Sequence, residues 1–383
     1  MRQKENGFVS ELLYSVGVTI NAPNGSGLQV RDERFYSEIV RRGSLGLGEA
    51  YMDGLWDHDD LSDFFCRVIG GGLEKEAKSL KTVIALGPEI LSSVLADCGH
   101  WKNSHRVGEH HYDVGNDLYR LMLGKHMVYS CAYWKDAQNL NEAQEHKMRL
   151  ICEKLGLKEG MTLLDIGCGF GELLAFAAKH YDIRGVGITI SKEQAKLAET
   201  LFREYDVSDR VSIKVQDYRH QLGVKFDRVV SVGMFEHVGP KYYQTYFDTV
   251  RAYLKKDGLF LLHTIAGHES YRTTEPWVHK YIFPGGVLPS YEQVTKAFQR
   301  AEFVMEDWHN FGADYDNTLM AWYQNLLPRW DTLIATGKYD ERFRRMWEYY
   351  LLSFAGAFRS RNLDLWQIVF SPKGVKGGYT SVR

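Results

Sequence analysis

Leu163-Leu164-Asp165-Ile166-Gly167-Cys168-Gly169-Phe170-Gly171 is the stretch whose reading decides the fold. Residues 161–166 form a short apolar run around one acid, and residues 172–180 (ELLAFAAKH) are rich in strong helix formers with apolar positions at helical spacing. Strand, tight turn and helix therefore follow in that order. The alternating glycines Gly167, Gly169 and Gly171 let the backbone take positive φ and bring main-chain N–H groups at a helix N-terminus within reach of a ligand. Dinucleotide-binding folds use a similar device, so glycines alone do not choose the ligand. A Walker loop is excluded, because no Lys-Ser/Thr pair closes the run.

The order D-I-G-C-G-x-G, with the acid ahead of the first glycine, resembles the nucleotide loop of S-adenosylmethionine-dependent methyltransferases. In those enzymes the acid, here Asp165, meets the methionine ammonium. Working outward, residues 184–190 (RGVGITI), 211–215 and 226–232 (FDRVVSV) read as further strands, the last suited to a doubly covered parallel sheet. Residues 260–264, 303–308 and 365–370 complete the set. Between the last two, residues 314–361 make a helical insertion too long for an ordinary loop, placed to form a lid or wall for a bulky substrate. The expected fold is α/β: a Rossmann-like class I methyltransferase sheet with a helical insertion at about 312–361, preceded by a smaller, mainly helical N-terminal domain. The boundary falls near residue 105, giving domains 1–105 and 106–383.

At 383 residues one large and one smaller domain is the natural division. The formal charge of −2 argues against a broad nucleic-acid footprint. Cys66, Cys98, Cys131, Cys152 and Cys168 are odd in number and scattered, with no CxxC pair and no zinc spacing, which suits a reducing cytosol and no metal site. The first residues, MRQKENGFVSELLYS, mix both charges before any apolar run, unlike a signal peptide. No segment of about twenty apolar residues occurs, so the expectation is a protein that does not span a membrane.

Ahead of the sheet, residues 32–42 (DERFYSEIVRR) run from an acidic start to a basic end, as helix dipoles favour. In 44–57 (SLGLGEAYMDGLWD) the glycines imply either close backbone packing or turns. Leu61, Phe64, Phe65, Val68 and Ile69 form an apolar stripe on a helix beginning near Asp60 and stopped by Gly70-Gly71-Gly72. Residues 80–95 add another apolar segment before a polar linker at 97–104. Such a module could hold a lipid or lie on a bilayer. Asn116-Asp117 suits a helix cap, and Tyr129-Ser130-Cys131-Ala132-Tyr133-Trp134 sets aromatics around small polar residues, as a wall between cofactor and substrate would. No acid for ribose ends the second strand. Thr189 and Gln194 offer neutral hydrogen bonds there, although Ser191 with Gln194 also matches a capping box. Asp217-Tyr218 suits an adenine. The fourth strand delivers Gly233-Met234-Phe235-Glu236-His237-Val238-Gly239 to the carboxyl edge, where open α/β sheets place their chemistry, and the fifth delivers His263 and Ile265.

Taken together, SLGLGEAYMDGLW, HYDVGNDLY, YSCAYW, LDIGCGFG, SVGMFEHVGPKYY and WHNFGADYDNTLMAWY resemble the bacterial cyclopropane-fatty-acyl-phospholipid synthase family along nearly the whole chain. The mycolic-acid cyclopropane synthases are similar but lack the N-terminal module. The resemblance implies that the cis double bond of a phospholipid acyl chain attacks the S-adenosylmethionine methyl, and that proton loss from the resulting carbocation-like centre closes a three-membered ring. An alkene offers nothing to hydrogen-bond, so placement falls to an apolar channel.

In the family the base is a bound bicarbonate. The resemblance carries its cage to Cys131, Glu236, His263, the main chain at Ile265, and Tyr315. It carries the cofactor contacts to Tyr129 and Ser130 for the methionine part, Asp165, Gly167, Cys168, Gly169 and Gly171 for the amino acid and ribose, Thr189 and Gln194 for the ribose, and Asp217 and Tyr218 for the adenine. It further implies a cytoplasmic enzyme, peripheral at the inner membrane leaflet and contacting the phospholipid surface through its N-terminal module, and a homodimer, with no nucleic-acid partner. One position departs. Where many members carry a cysteine before an AGAFR-like run, this chain has Phe354, so a thiol there is not essential: either bicarbonate takes the proton or the chain is an inactive relative.

Overall fold

The structure, a computed structural model, describes residues 2–73 and 115–383. The apolar segment 80–95, the linker 97–104 and the start of HYDVGNDLY lie outside the described residues. In chain order the elements begin with α1 (Arg2–Ser15), β1 (Leu28–Val30), α2 (Arg34–Met52), β2 (Trp56–His58), α3 (Leu61–Gly70), α4 (Asn116–Leu123), α5 (Leu140–Lys154), β3 (Thr162–Ile166) and α6 (Glu172–Tyr181). They continue with β4 (Arg184–Thr189), α7 (Lys192–Glu204), β5 (Val211–Val215), β6 (Phe226–Val232), α8 (Tyr243–Tyr253), β7 (Leu254–Gly267), α9 (Pro276–Tyr281) and α10 (Tyr291–Arg300). β8 (Val304–Asn310), α11 (Ala313–Leu326), α12 (Trp330–Ala335), α13 (Glu341–Arg359) and β9 (Leu363–Ser371) complete the order. The chain forms two compact units, neither continuous in sequence.

One unit takes the described residues up to Met122 together with Thr274–Gly285 and Leu319–Asn362. Here the structure decides the open question about 44–57. α2 runs through it to Met52, kinked at Gly43, whose φ of 56° and ψ of −131° leave the helical region. Gly48 is a close approach: a Cβ there would lie 2.3 Å from the Trp277 ring. The expected helix from Asp60 is present, with the Asp60 side chain accepting from the Asp63 N–H. A short β1–β2 antiparallel ribbon, pairing Val30 with Trp56, adds strand to a module expected to be mainly helical. Aromatic packing joins the pieces, with Phe65 and Trp277 both against Tyr349.

The second unit takes Leu123–Thr273, Gly286–Thr318 and Leu363–Arg383. Its sheet has the order β5-β4-β3-β6-β7-β9-β8; β3 to β7 pair in parallel, and β9 runs antiparallel to both of its neighbours. Successive side chains alternate between faces. Leu164, Phe260, Leu262 and Ile368 join a core with α8 and α10, whereas Leu163, Leu261 and Val369 join one with α5, α6 and α7. The sheet is thus covered on both sides, as the apolar strands require. Connections leave β3 in one direction and β6 in the other, so the crevice at the carboxyl ends of β3 and β6 is the topological switch point.

Candidate functional site

β3 enters the switch point through the glycine turn. Gly167, Gly169 and Gly171 hold φ values of 80°, 53° and 82°. A Cβ at Gly167 would lie 2.7 Å from Met234, so the turn excludes larger residues on steric as well as conformational grounds. The N–H groups of Gly167 and Cys168 both donate to the Ile188 carbonyl, at 2.9 and 3.0 Å, tying the loop to the end of β4. Asp165 is buried and its Oδ1 has no hydrogen-bond partner among the described residues. Burial pushes its carboxyl up to about 7 against the pull of Lys147. A buried acid with an unanswered acceptor fits an ammonium ligand.

The segment carrying Tyr129, Ser130 and Cys131 is held by α5 and by the first turns of α11. From α5, Gln144 Nε2 donates to the Ser130 carbonyl (3.1 Å) and Lys147 Nζ to Ser130 Oγ (2.9 Å). From α11, Thr318 Oγ1 accepts from Ala132 N (3.1 Å) and Trp134 Nε1 (2.9 Å), and Asp314 accepts from Trp134 N (2.7 Å). Thr189 Oγ1 donates to Gln194 Oε1 at 2.8 Å, while Ser191 Oγ accepts from the Gln194 N–H. Ser191 therefore caps α7, but the Gln194 side chain goes to Thr189 instead of completing a capping box. Asp217 gives both oxygens to Arg219, at 2.9 and 2.6 Å, and that pairing holds its carboxyl below the usual range. Tyr218 is half-buried, edge-on to Tyr246.

Glu236 stands on the turn after β6, and its Oε1 accepts the Ile265 N–H of β7 at 2.7 Å. Its Oε2 is buried with no partner among the described residues, and burial raises the carboxyl to about 7 although the Ile265 bond pulls the other way. His263 lies two residues before Ile265, on the same face of the strand. Opposite it on β9, Gln367 donates from Nε2 to His263 Nδ1 at 3.2 Å, which assigns the ring proton to Nε2. That Nε2 has no partner among the described residues. Burial, reinforced by the charges of Lys147 and Lys154, holds the imidazole well below its ordinary pKa, so it is neutral. Cys131 is fully buried, with Sγ 3.9 Å from Thr318 Oγ1, and burial keeps it a thiol. Tyr315 is buried on α11, three residues before Thr318 and so on the same side of that helix.

The structure thus joins Glu236 to Ile265, sets His263 on the adjoining strand position, and ties Cys131 to the helix that carries Tyr315. The Ile265 N–H is occupied by Glu236, and its carbonyl already accepts the Thr264 hydroxyl at 3.0 Å, so the main chain at Ile265 is engaged on both sides. An unanswered acceptor and an unanswered donor suit a small ligand able both to donate and to accept. Sequence reasoning missed Gln144, Lys147, Thr318 and Gln367. Lys147 had a signal, because it sits four residues from both Ala143 and Ile151 in an apolar stripe; Gln367 had none, since its place opposite His263 is set by strand register.

The sequence model of the mycolic acid cyclopropane synthetase family matches residues 100–368. The chain is 48% identical over 375 residues to the cyclopropane-fatty-acyl-phospholipid synthase of Escherichia coli strain K12, covering 98% of this chain and 95% of that protein. Among solved structures, the cyclopropane synthase MmaA2 from Mycobacterium tuberculosis matches with a TM-score of 0.64 and 32% identity, over 70% of this chain and 99% of that one. The mycolic acid cyclopropane synthase CmaA1, complexed with SAH and CTAB, matches with a TM-score of 0.62 and 34% identity, over 68% and 95%.

Proposed function

The chain belongs to the mycolic acid cyclopropane synthetase family, and from that membership we propose that it carries the methyl carbon of S-adenosylmethionine, as a methylene group, to the cis double bond of an unsaturated phospholipid acyl chain, with bicarbonate held at Glu236 as the base. It is an S-adenosylmethionine-dependent methyltransferase acting on unsaturated lipid chains. The observation that supports the finer reading is the pair of unanswered buried atoms at the carboxyl edge, Glu236 Oε2 and His263 Nε2. Bicarbonate has a hydroxyl to donate and oxygens to accept, which suits that pair. When bound, it supplies a proton acceptor beside a substrate with no acid–base group of its own.

This chain's residues do the rest. Glu236, fixed through Oε1 by the Ile265 N–H, orients the site, and the neutral His263 ring donates from Nε2. Tyr315 and the uncharged Cys131 complete the enclosure without adding a competing anion. Asp165 holds the methionine ammonium, with Tyr129 and Ser130 on the rest of the methionine part. Gly167, Cys168, Gly169 and Gly171 let the cofactor approach main chain, Thr189 and Gln194 face the ribose, and Asp217 and Tyr218 the adenine. Phe354 packs its ring against Tyr350 and Phe283, with centroids 5.1 and 6.4 Å away, in keeping with a base that is not a thiol.

The substrate's location extends the reading to a peripheral visitor of the inner leaflet, with residues 1–105 as the contact and a homodimer as the working form. Among the described residues no helix is long and apolar enough to cross a membrane. Vesicle co-sedimentation and light scattering test these two points. The reaction itself is tested with methyl-labelled S-adenosylmethionine and unsaturated phospholipid vesicles. Mass spectrometry is expected to show gain of CH₂ with loss of the double bond; a methyl ester or ether would contradict the reading.

A further inference from the structure

α5 lies on the sheet face to which Leu163, Leu261 and Val369 point, and strand alternation turns Asp165 and His263 to that same face. Along the helix, Gln144, Lys147, Ile151 and Lys154 fall on one buried stripe. A lysine is almost never fully buried without a partner or a task. Lys147 is 2% exposed and donates to Ser130 Oγ at 2.9 Å, and one turn earlier Gln144 takes the Ser130 carbonyl. The carboxyl groups that face its ammonium are Asp165 on β3 and Glu172 on α6, with the uncharged Cys131 thiol beside them. Burial lowers its pKa to about 7, against the pull of the two carboxyl groups. The opposite end of the stripe needs no such explanation, because Lys154 lies 3.8 Å from Asp307.

We propose that Lys147 is a positioning residue of the cofactor site: by holding the Ser130 hydroxyl it sets the Tyr129–Cys131 segment for the methionine part of S-adenosylmethionine. The inference rests on the cofactor assignment above. Glu172 is itself engaged, accepting from Tyr205 OH and facing His126 Nδ1, both at 2.6 Å, so Ser130 is the group through which Lys147 acts outward. No proton or bond changes hands in this role. Its content is geometric: a fixed donor removes freedom from the Tyr129–Cys131 segment.

Binding of S-adenosylhomocysteine by calorimetry tests it, using the full chain and the variants Lys147→Met, Ser130→Ala and the double variant. Each single variant is expected to weaken binding roughly ten- to a hundredfold, the worth of one charge-assisted hydrogen bond. The double variant should be little worse than either, because both remove the same bond. In turnover, the KM for S-adenosylmethionine should rise while that for phospholipid stays put, a split that loosened packing would not produce. Wild-type affinity in folded Lys147→Met, or effects that multiply in the double variant, would overturn the inference. Should Lys147→Met fail to fold, Lys147→Leu carries the test, and unchanged affinity there overturns it too. A wild-type chain that binds no S-adenosylhomocysteine would sink the cofactor assignment instead.

Discussion

Two buried carboxylates in the same unit, Asp307 on β8 and Glu236 after β6, have opposite surroundings. Asp307 takes two bonds from Arg383, at 2.6 and 2.7 Å, a third from Ser381, and lies 3.8 Å from Lys154. Burial would raise its pKa, but Arg383, Ser381 and Lys154 outweigh it and hold the group below the ordinary range. Glu236 has the Ile265 N–H on Oε1 and no cation in salt-bridge reach among the described residues; burial pushes its pKa up to about 7, outweighing Ile265, its own N–H and the Thr264 hydroxyl. A buried acid surrounded by cations serves the fold. One left raised and half-answered at the carboxyl edge is a site waiting on chemistry.

The strongest attempt to break that contrast is Glu236→Gln. It keeps the Ile265 bond and removes the charge, so turnover should fall by about a thousandfold or more. Stability should move the other way. Below the ordinary pKa of 4.5 the wild-type group is protonated folded or unfolded; between 4.5 and about 7 only the folded state keeps its proton, so the wild type loses stability as pH rises. Glu236→Gln escapes that loss, and in carbonate-free buffer at about pH 8 thermal denaturation should show a gain on the order of 3 kcal/mol that vanishes toward pH 4.5. A variant that is both inactive and less stable at pH 8 would make Glu236 a structural acid like Asp307.

Asp165→Asn sharpens the contrast at the cofactor loop, with S-adenosylhomocysteine binding expected to weaken about ten- to a hundredfold by calorimetry. Asp307→Asn should do the converse, costing about 2 kcal/mol in urea denaturation, less than a fully buried pair because the Arg383 side chain is 39% exposed. That stability is present above the ordinary carboxylate pKa of 3.8 and lost as pH falls through the lower folded value, so the variant and wild type should converge in acid. The smallest effect belongs to Phe354→Cys. A thiol there is expected to leave turnover within about threefold, with a stability cost of about 1–2 kcal/mol for the lost half-buried ring, read by mass spectrometry and denaturation. A tenfold rise would shift the base away from the Glu236 cage.

How much of this was legible follows from where each residue gets its role. Asp165 and the glycines act through local backbone geometry, which a strand, a turn and a helix former already spell out. Glu236 and His263 were singled out by motifs expected at the carboxyl edge; the structure has Glu236 just after β6 and His263 within β7, which runs on to Gly267. The part played by Gln367 depends on β7–β9 register, and that of Lys147 on how α5 docks, neither of which local spacing encodes. Gly48 is similar: its reason is Trp277, far along the chain. The β1–β2 ribbon, three residues on each side, was too short to leave an alternation.

The central claim, a small anion held where Glu236 and His263 leave atoms unanswered, is tested most directly by turnover on unsaturated phospholipid vesicles after exchange into carbonate-free buffer, with bicarbonate then added back. The rate should be low at first and climb to saturation with bicarbonate in the wild type. A wild-type rate indifferent to bicarbonate throughout would contradict the account.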